Sequence, residues 1–381
     1  DRLPLDLQNA PIIDRHGKAL DGKHLGGHVF PRNAVSARRR PFKSAVAVGQ
    51  TNGQAVEFIF HRIIDFARRD LLHARIKRMD TAPILLFVYN RPAHTRQALE
   101  ALSRNTLSAD SDLFIYSDAA RSEADRAAVE EVRHIVREAK GFRQVHVTER
   151  EQNWGLARNI IDGVTTMVNR YGRVIVLEDD LVVAPHFLQF MNDALDVYAD
   201  VPQVGHIQAC DFTNDPDLPD TFLIKWTGSW GWATWKRAWQ FFNPDGKALL
   251  EELERKKLTY TFDFDGKYGY TRMLRRQTEG KNNSWAIRWN ASLFLNGILS
   301  LNVGKSLVQN TGFDGSGTNC GGGNLYQSGL YMEPLPVVKI EPIEECAEAR
   351  KAYSRYYAKT NSFMAKAIRR IKRTLKGDFG A

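Results

Sequence analysis

Between residues 84 and 180 the sequence alternates between two periods, and that alternation leaves the chain few folds to adopt. Ile84-Leu85-Leu86-Phe87-Val88, Leu113-Phe114-Ile115-Tyr116, Val145-His146-Val147 and Val174-Ile175-Val176-Leu177 are short aliphatic runs of strand type. Between them, apolar residues recur at helical spacing. One segment is opened by Pro92 and carries Ala98, Leu99 and Leu102; a second carries Val129, Val132, Ile135 and Val136; a third carries Ala157, Ile160, Ile161, Val164 and Val168. Ser122 and Asp125, ahead of the second, have capping-box spacing. Four strands alternating with three helices imply an α/β chain with a mostly parallel sheet and right-handed crossovers.

In such sheets ligands bind beyond the carboxyl ends of the strands. That rule gathers distant polar residues at one edge: Asn90 and Arg91 after the first strand, Asp118 after the second, Arg158 in the segment after the third, and Glu178-Asp179-Asp180 after the fourth. Three consecutive acids at the end of a buried strand repel one another and are costly to desolvate. A divalent metal with a phosphorylated ligand would balance them. The other reading is a solvated turn, with Asp180 near the N-terminus of a helix that Pro185 opens and that runs to about Tyr198. Taken singly, Asn90 and Asp118 are ordinary turn or cap residues. Their coincidence with the acidic triplet points to a site.

Beyond residue 200 the pattern becomes α+β and aromatic. Trp226, Trp230, Trp232, Trp235 and Trp239 are five of the chain's eight tryptophans. They read either as core or, with Gly and Ser between them, as a platform for the apolar face of a sugar. Residues 299–303 read as a strand. The loop 312–323 is glycine-rich but lacks the strand-to-helix setting and the lysine of a P-loop, so it reads as a lid or a surface loop.

The 381 residues suggest two domains, or one large domain with additions. A net charge of +9 favours anionic partners. Part of the excess sits in two end blocks: a basic amphipathic helix over about 55–79, and a basic helical tail within 346–381 that includes Arg369, Arg370, Lys372 and Arg373. Either could dock on an anionic membrane surface or serve as a packed or solvated terminus. No module with interleaved basic and stacking residues marks the chain as a nucleic-acid binder. Three cysteines without metal-ligand spacing fit a reducing, cytoplasmic compartment, with the inner membrane face as a peripheral location. No apolar run approaches the roughly 20 residues needed to span a bilayer, and the missing initiator Met reads as a processed or trimmed start.

Residues 84–91, Tyr116-Ser117-Asp118 and above all the stretch from Val174 through Glu178-Asp179-Asp180 to Ala184-Pro185-His186-Phe187 resemble nucleotide-sugar glycosyltransferases of the A-type fold. They are similar to the branch containing the Golgi N-acetylglucosaminyltransferase that begins complex N-glycans, together with bacterial relatives that build surface polysaccharides. The resemblance covers about residues 82–325. It implies a Rossmann-like core domain over 81–345, with a nucleotide-sugar half (81–200) and an acceptor half (201–345), flanked by helical extensions at 1–80 and 346–381.

The resemblance also implies roles. Asp180 would bind Mn²⁺ or Mg²⁺ bridging the diphosphate of a UDP-linked donor; Glu178 and Asp179 would face the ribose and sugar. Asp118 would hold the base, Asn90, Arg91 and Arg158 would contact the nucleotide, and Trp230-Gly231-Trp232 would lie beside the transferred sugar. The acceptor would be a hydroxyl of a glycan or lipid-linked molecule, and the transfer would be inverting. Inverting members place a carboxylate base in a Trp-Asp-Asp-like segment, whereas Trp285-Ala286-Ile287-Arg288-Trp289 has no acid. Asp314 and Asp265 are put forward in its place, with Asp263 a further substitute. Asn319 stands where many members have a metal-binding His. The missing acid equally suits a binding scaffold that has lost catalysis.

Overall fold

The computed structural model describes residues 81–314 and 329–361. By contacts the chain divides into Asp1–Asp65 and Phe66–Ala381. The helix expected over 55–79, Asn319 with the rest of the glycine-rich loop beyond 314, and the basic stretch beyond 361 lie outside the described residues.

Strand β1 (Ile84–Val88) leads to helix α1 (Pro92–Ser103), and β2 (Asp112–Ser117) to α2 (Glu123–Arg137). Next come β3 (Gln144–Glu149), α3 (Leu156–Tyr171), β4 (Arg173–Glu178), the short β5 (Leu181–Val183) and α4 (Phe187–Val197). The second half contains β6 (Val204–Gln208), β7 (Thr221–Ile224), β8 (Trp232–Trp235), α5 (Lys236–Trp239), α6 (Gly246–Arg255), α7 (Thr259–Phe262), α8 (Tyr270–Thr278) and α9 (Trp285–Leu295). β9 (Leu299–Val303), β10 (Val308–Asn310) and α10 (Ala347–Asn361) complete it. Eight strands form one sheet in the order β3-β2-β1-β4-β8-β6-β9-β7. The β1–β2, β2–β3, β1–β4 and β6–β9 pairs are parallel, while β8 is antiparallel to both neighbours and β7 to β9. The mostly parallel α/β sheet expected from the sequence is the one the chain adopts.

Both faces of the sheet are covered, which is why β1 is apolar and buried at every position. From β1, Ile84, Leu86 and Val88 pack with Leu99, Leu102, Val132 and Phe187 on one face. Leu85 and Phe87 pack with Ile160, Val164, Trp232 and Trp289 on the other. On that second face Gly163 lets α3 approach closely: a Cβ there would lie 2.9 Å from Phe87 Cζ and 3.0 Å from Leu85 Cδ2.

The half of the sheet that follows β5 is closed by α10. Tyr353 and Tyr357 are fully buried against Phe212, Phe222, Trp226 and Phe264. The Cys346 N–H donates to Leu223 O at 2.8 Å and Lys225 N–H to Glu345 Oε1 at 2.9 Å, so chain from beyond residue 340 covers the free edge of β7. No helix among the described residues is long and apolar enough to cross a membrane.

Two local expectations are corrected. Ser122 does not cap α2 in capping-box fashion; its hydroxyl donates to Asp125 Oδ2 at 2.9 Å, because that carboxylate also receives Asn90 Nδ2 and is better placed as a hub. The tryptophan cluster is mainly core. Trp226, Trp232, Trp235 and Trp239 are buried, and only Trp230 of the five remains half-buried.

Candidate functional site

β1 and β4 run parallel with Phe87 opposite Glu178, so residues 89–91 and 179–180 leave the sheet side by side. The Tyr89 N–H reaches Asp179 Oδ2 at 3.4 Å. Arg91 then grips both acids, with Nη2 on Asp179 Oδ1 and Nη1 on Asp180 Oδ2 at 3.0 Å. Asp179 and Asp180 are buried, at 3% and 7% exposure. The pair thus satisfies the requirement that buried charge be matched and hydrogen-bonded.

A distant segment seals the acids. β10 pairs antiparallel with β5, placing Asn310 opposite Leu181. From there Thr311 donates to Asp180 O through both its N–H (2.8 Å) and its hydroxyl (3.0 Å). The Gly312 N–H is held by Asn310 Oδ1 at 2.8 Å. A Cβ on Gly312 would stand 2.4 Å from Asp180 Oδ2, so only glycine permits this approach.

Three carboxylates face one guanidinium here, and the imbalance shows in their protonation. Burial, then the charges of Asp180 and Asp179, push Glu178 up to about 8. Burial likewise raises Asp179, to about 6, although Arg91 opposes it. Burial works against the Arg91 charge too, but Asp179 and Asp180 outweigh it and hold the guanidinium above its usual range. An edge with surplus buried carboxylate is suited to a further cation. No group of three or more His, Cys, Asp or Glu side chains converges into a metal cage among the described residues. Arg91 takes Asp180 through Oδ2, which leaves Oδ1. This donor set fits a hard cation that binds one or two carboxylates and completes its shell with water and substrate phosphates.

The other expected residues are distributed as follows. Asp118 is buried, and both its oxygens are engaged: Oδ1 accepts from Ala119 N (3.0 Å) and Trp154 N (2.9 Å), Oδ2 from Gly155 N (2.8 Å) and Asn153 Nδ2 (3.2 Å). A carboxylate offers about four acceptor positions, so Asp118 latches the end of β2 to the start of α3, and contact with a base edge would have to displace one of these donors. Asn90 Nδ2 is directed to Asp125 at 2.9 Å. The Arg158 guanidinium lies over the Trp154 ring at 3.8 Å, as does that of Arg150 at 3.7 Å. Trp230 meets Phe313 edge-on at 5.6 Å, beside the sealing segment. Gly231 has φ +66°, and a Cβ on it would lie 2.6 Å from Val308 Cγ2, so the turn that aims Trp230 depends on glycine.

Trp232 is a correction. It is 1% exposed, stacked on His206 at 5.3 Å and on Trp285 at 5.1 Å, and belongs to the core rather than to a sugar surface. Its place in a strand between β4 and β6 turns it inward. Of the two expected bases, Asp265 does not join the acids. Asp265 pairs with Arg350 of α10 at 3.1 Å, and Asp263 accepts the Thr271 N–H at 2.6 Å. Asp314 ends a short 3₁₀ turn, Gly312–Asp314, that begins against Asp180; its side chain lies outside the described residues. The acid-free segment is the first turn of α9, capped by Ser284 through the Ile287 N–H. Tyr89, Thr311 and Gly312 were missed. Only the glycine of Gly312-Phe313-Asp314-Gly315 carried a sequence signal, and it did not say what approached it.

Residues 84–252 match the family model described as Glycosyl transferase family 2. No curated protein matches the chain. Among solved structures it is similar to the mannosyltransferase PcManGT from Pyrobaculum calidifontis in complex with GDP-Man and Mn²⁺. That likeness has 12% identity over 63% of this chain and 79% of that one, with a TM-score of 0.31. Mouse xyloside xylosyltransferase 1 in its apo form gives 11% identity over 57% and 81%, TM-score 0.31. The galactosyltransferase LgtC with donor and acceptor sugar analogues gives 10% over 57% and 72%, TM-score 0.31. The family match runs from β1 into α6 and so includes the segment that builds the Arg91–Asp179–Asp180 edge.

Proposed function

We propose that the protein transfers a sugar from a nucleotide-sugar, UDP-linked, to a hydroxyl of a glycan or lipid-linked acceptor in surface-polysaccharide synthesis, with inversion. The observation that carries this reading is the clamp of Arg91 on Asp179 and Asp180 at the carboxyl edge of β1 and β4, inside the family 2 segment. Arg91 orients the two carboxylates, Thr311 and Gly312 exclude water from one side of them, and the half-buried Trp230 offers an aromatic edge to a sugar. Mn²⁺ or Mg²⁺ held at Asp180 would supply positive charge to the leaving diphosphate. Asp314, adjacent in sequence to the sealing turn, is our candidate for the base that takes the acceptor proton. The basic segments at either end are proposed to hold the protein on an anionic membrane face.

Nucleotide-sugars are expected to raise the melting temperature, more so with Mn²⁺, since a ligand that binds only the folded state stabilises it. Asp180→Asn keeps the side-chain shape and should reduce nucleoside diphosphate release at least about a hundredfold. Unchanged turnover in that variant would overturn the metal assignment.

A second reading, a catalytically inactive nucleotide-sugar or carbohydrate-binding scaffold, is favoured by the acid-free first turn of α9. Calorimetric binding of a donor, with neither hydrolysis nor transfer across a broad acceptor panel, would select it.

A further inference from the structure

A trough of mixed lining runs along α3, away from the acids. Near the substrate edge a cavity of about 510 Å³ is lined by Trp154, Arg158, Asp162 and Thr165 of the α3 side and by Asn283 and Arg288 of the α9 side. A second, of about 750 Å³, begins at the same Thr165 and continues past Asn169 to Gly172, with Lys236, Arg237, Trp239 and Phe242 opposite. Together they follow the 16 residues of α3, a length of about 24 Å. That is the dimension of an extended oligomer rather than of one sugar.

The chemistry of the lining is uneven. Arg288 is 7% exposed, yet its guanidinium bonds only to neutral oxygens: Ser284 O, Pro244 O and Asn283 Oδ1. Burial lowers its proton affinity, and no carboxylate opposes that effect. A buried cation without a counter-ion is costly and calls for an anionic partner. Arg158 lies over Trp154, and no hydrogen bond or ion pair engages its guanidinium among the described residues. Lys236 is exposed and without an ion pair among the described residues. Arg237 donates to three backbone carbonyls, with Asp200 near enough to favour its charge. The one carboxylate in the lining, Asp162, is already paired with Arg150. Hydroxyl, amide and aromatic groups fill the spaces: Trp239 Nε1 donates to Thr165 Oγ1 at 2.9 Å, and the half-buried Phe242 ring stacks on Trp239 at 4.7 Å. Cations set among hydroxyl, amide and ring surfaces are what an acidic carbohydrate needs for recognition.

We infer that this trough seats the non-reacting part of an extended anionic glycan, its oxyanions carried by uronate or phosphate groups, with the growing end at the substrate edge. The inference rests on the glycosyl-transfer reading and names the acceptor class for it.

Binding is measured without donor, from tryptophan fluorescence and calorimetry, using a galacturonate oligomer, its monomer, a phosphorylated oligosaccharide, a neutral malto-oligosaccharide and a single-stranded oligonucleotide. Lys236→Glu combined with Asn169→Glu places two acids on exposed positions of the trough. The acidic oligomers should bind more tightly than the monomer and the neutral chain, weaken with salt, and bind about tenfold less well to the double variant. Nucleotide-sugar stabilisation should be the same in both proteins. Equal binding of neutral and acidic oligomers, an unaffected double variant, or preferential capture of the oligonucleotide overturns the inference while leaving donor stabilisation intact. Oligomer binding in a protein that no nucleotide-sugar stabilises would keep the trough and overturn the glycosyl-transfer reading.

Discussion

A methyl group on Gly312 would stand 2.4 Å from Asp180 Oδ2 and 3.1 Å from Arg91 Nη1. Neither neighbour can yield freely, because each holds the other. Gly312→Ala should therefore loosen the clamp, lowering stability by about 1–3 kcal/mol and weakening donor binding, both readable in a thermal-shift titration with nucleotide-sugar. Wild-type donor affinity in that variant would show that the sealing turn plays no part in the site. The clamp itself was partly legible in the sequence: Arg91 and the acids end apolar runs that had to be neighbouring strands. The seal was not, since Thr311 lies 131 residues from Asp180 and reaches it through two three-residue strands too short to leave a pattern. Trp232 misled for a different reason. Composition cannot distinguish an aromatic ring buried between layers from one facing a ligand, and only its position within β8 decides.

At the scale of elements, α3 docks closely on its face of the sheet. Gly163→Ala would gain up to about 1 kcal/mol of helix propensity but would press a methyl group against Phe87, Leu85 and Tyr116 at 2.9–3.1 Å. Overpacking of this kind costs about 1–3 kcal/mol, so the net change should be a destabilisation of roughly 1 kcal/mol. The chemical-denaturation midpoint checks this, and a stabilised variant would mean that α3 can lift without loss. The first half of the sheet was readable because each strand and its crossover helix are contiguous and follow local periods. The second half was not. The order β8-β6-β9-β7 interleaves strands of both directions, and β9 enters between β6 and β7 only after α6, α8 and α9 have intervened. No local period records such a return.

For the whole molecule, His206 lies in β6, inside the mixed half of the sheet. It is fully buried, stacked on Trp232, and its Nδ1 accepts the Trp289 indole N–H at 3.1 Å. Burial pulls it from 6.5 down to about 3, with Gln208 and Gly228 opposing only weakly. The folded protein thus refuses a proton that the unfolded chain accepts below about pH 6.5. Folding stability is retained above that value and is lost as pH falls toward 3, by about 3 kcal/mol between roughly pH 7 and pH 4. His206→Gln keeps an acceptor but does not titrate, so its stability should vary less with pH over that range in denaturation curves; an identical acid slope would place the sensitivity elsewhere.

The cover that α10 and residues 345–346 lay over β7 has a consequence for synthesis. β1 through β4 are contiguous and can assemble as they leave the ribosome. The opposite half cannot be completed at that stage, because its inner strand β9 and the tyrosines that fill its aromatic cluster are among the last parts of the domain to be made. Until they arrive, β6 and β7 present unpaired backbone, the condition in which nascent chains associate wrongly. Premature termination before Leu299 would therefore leave a formed first half attached to an adhesive, open sheet.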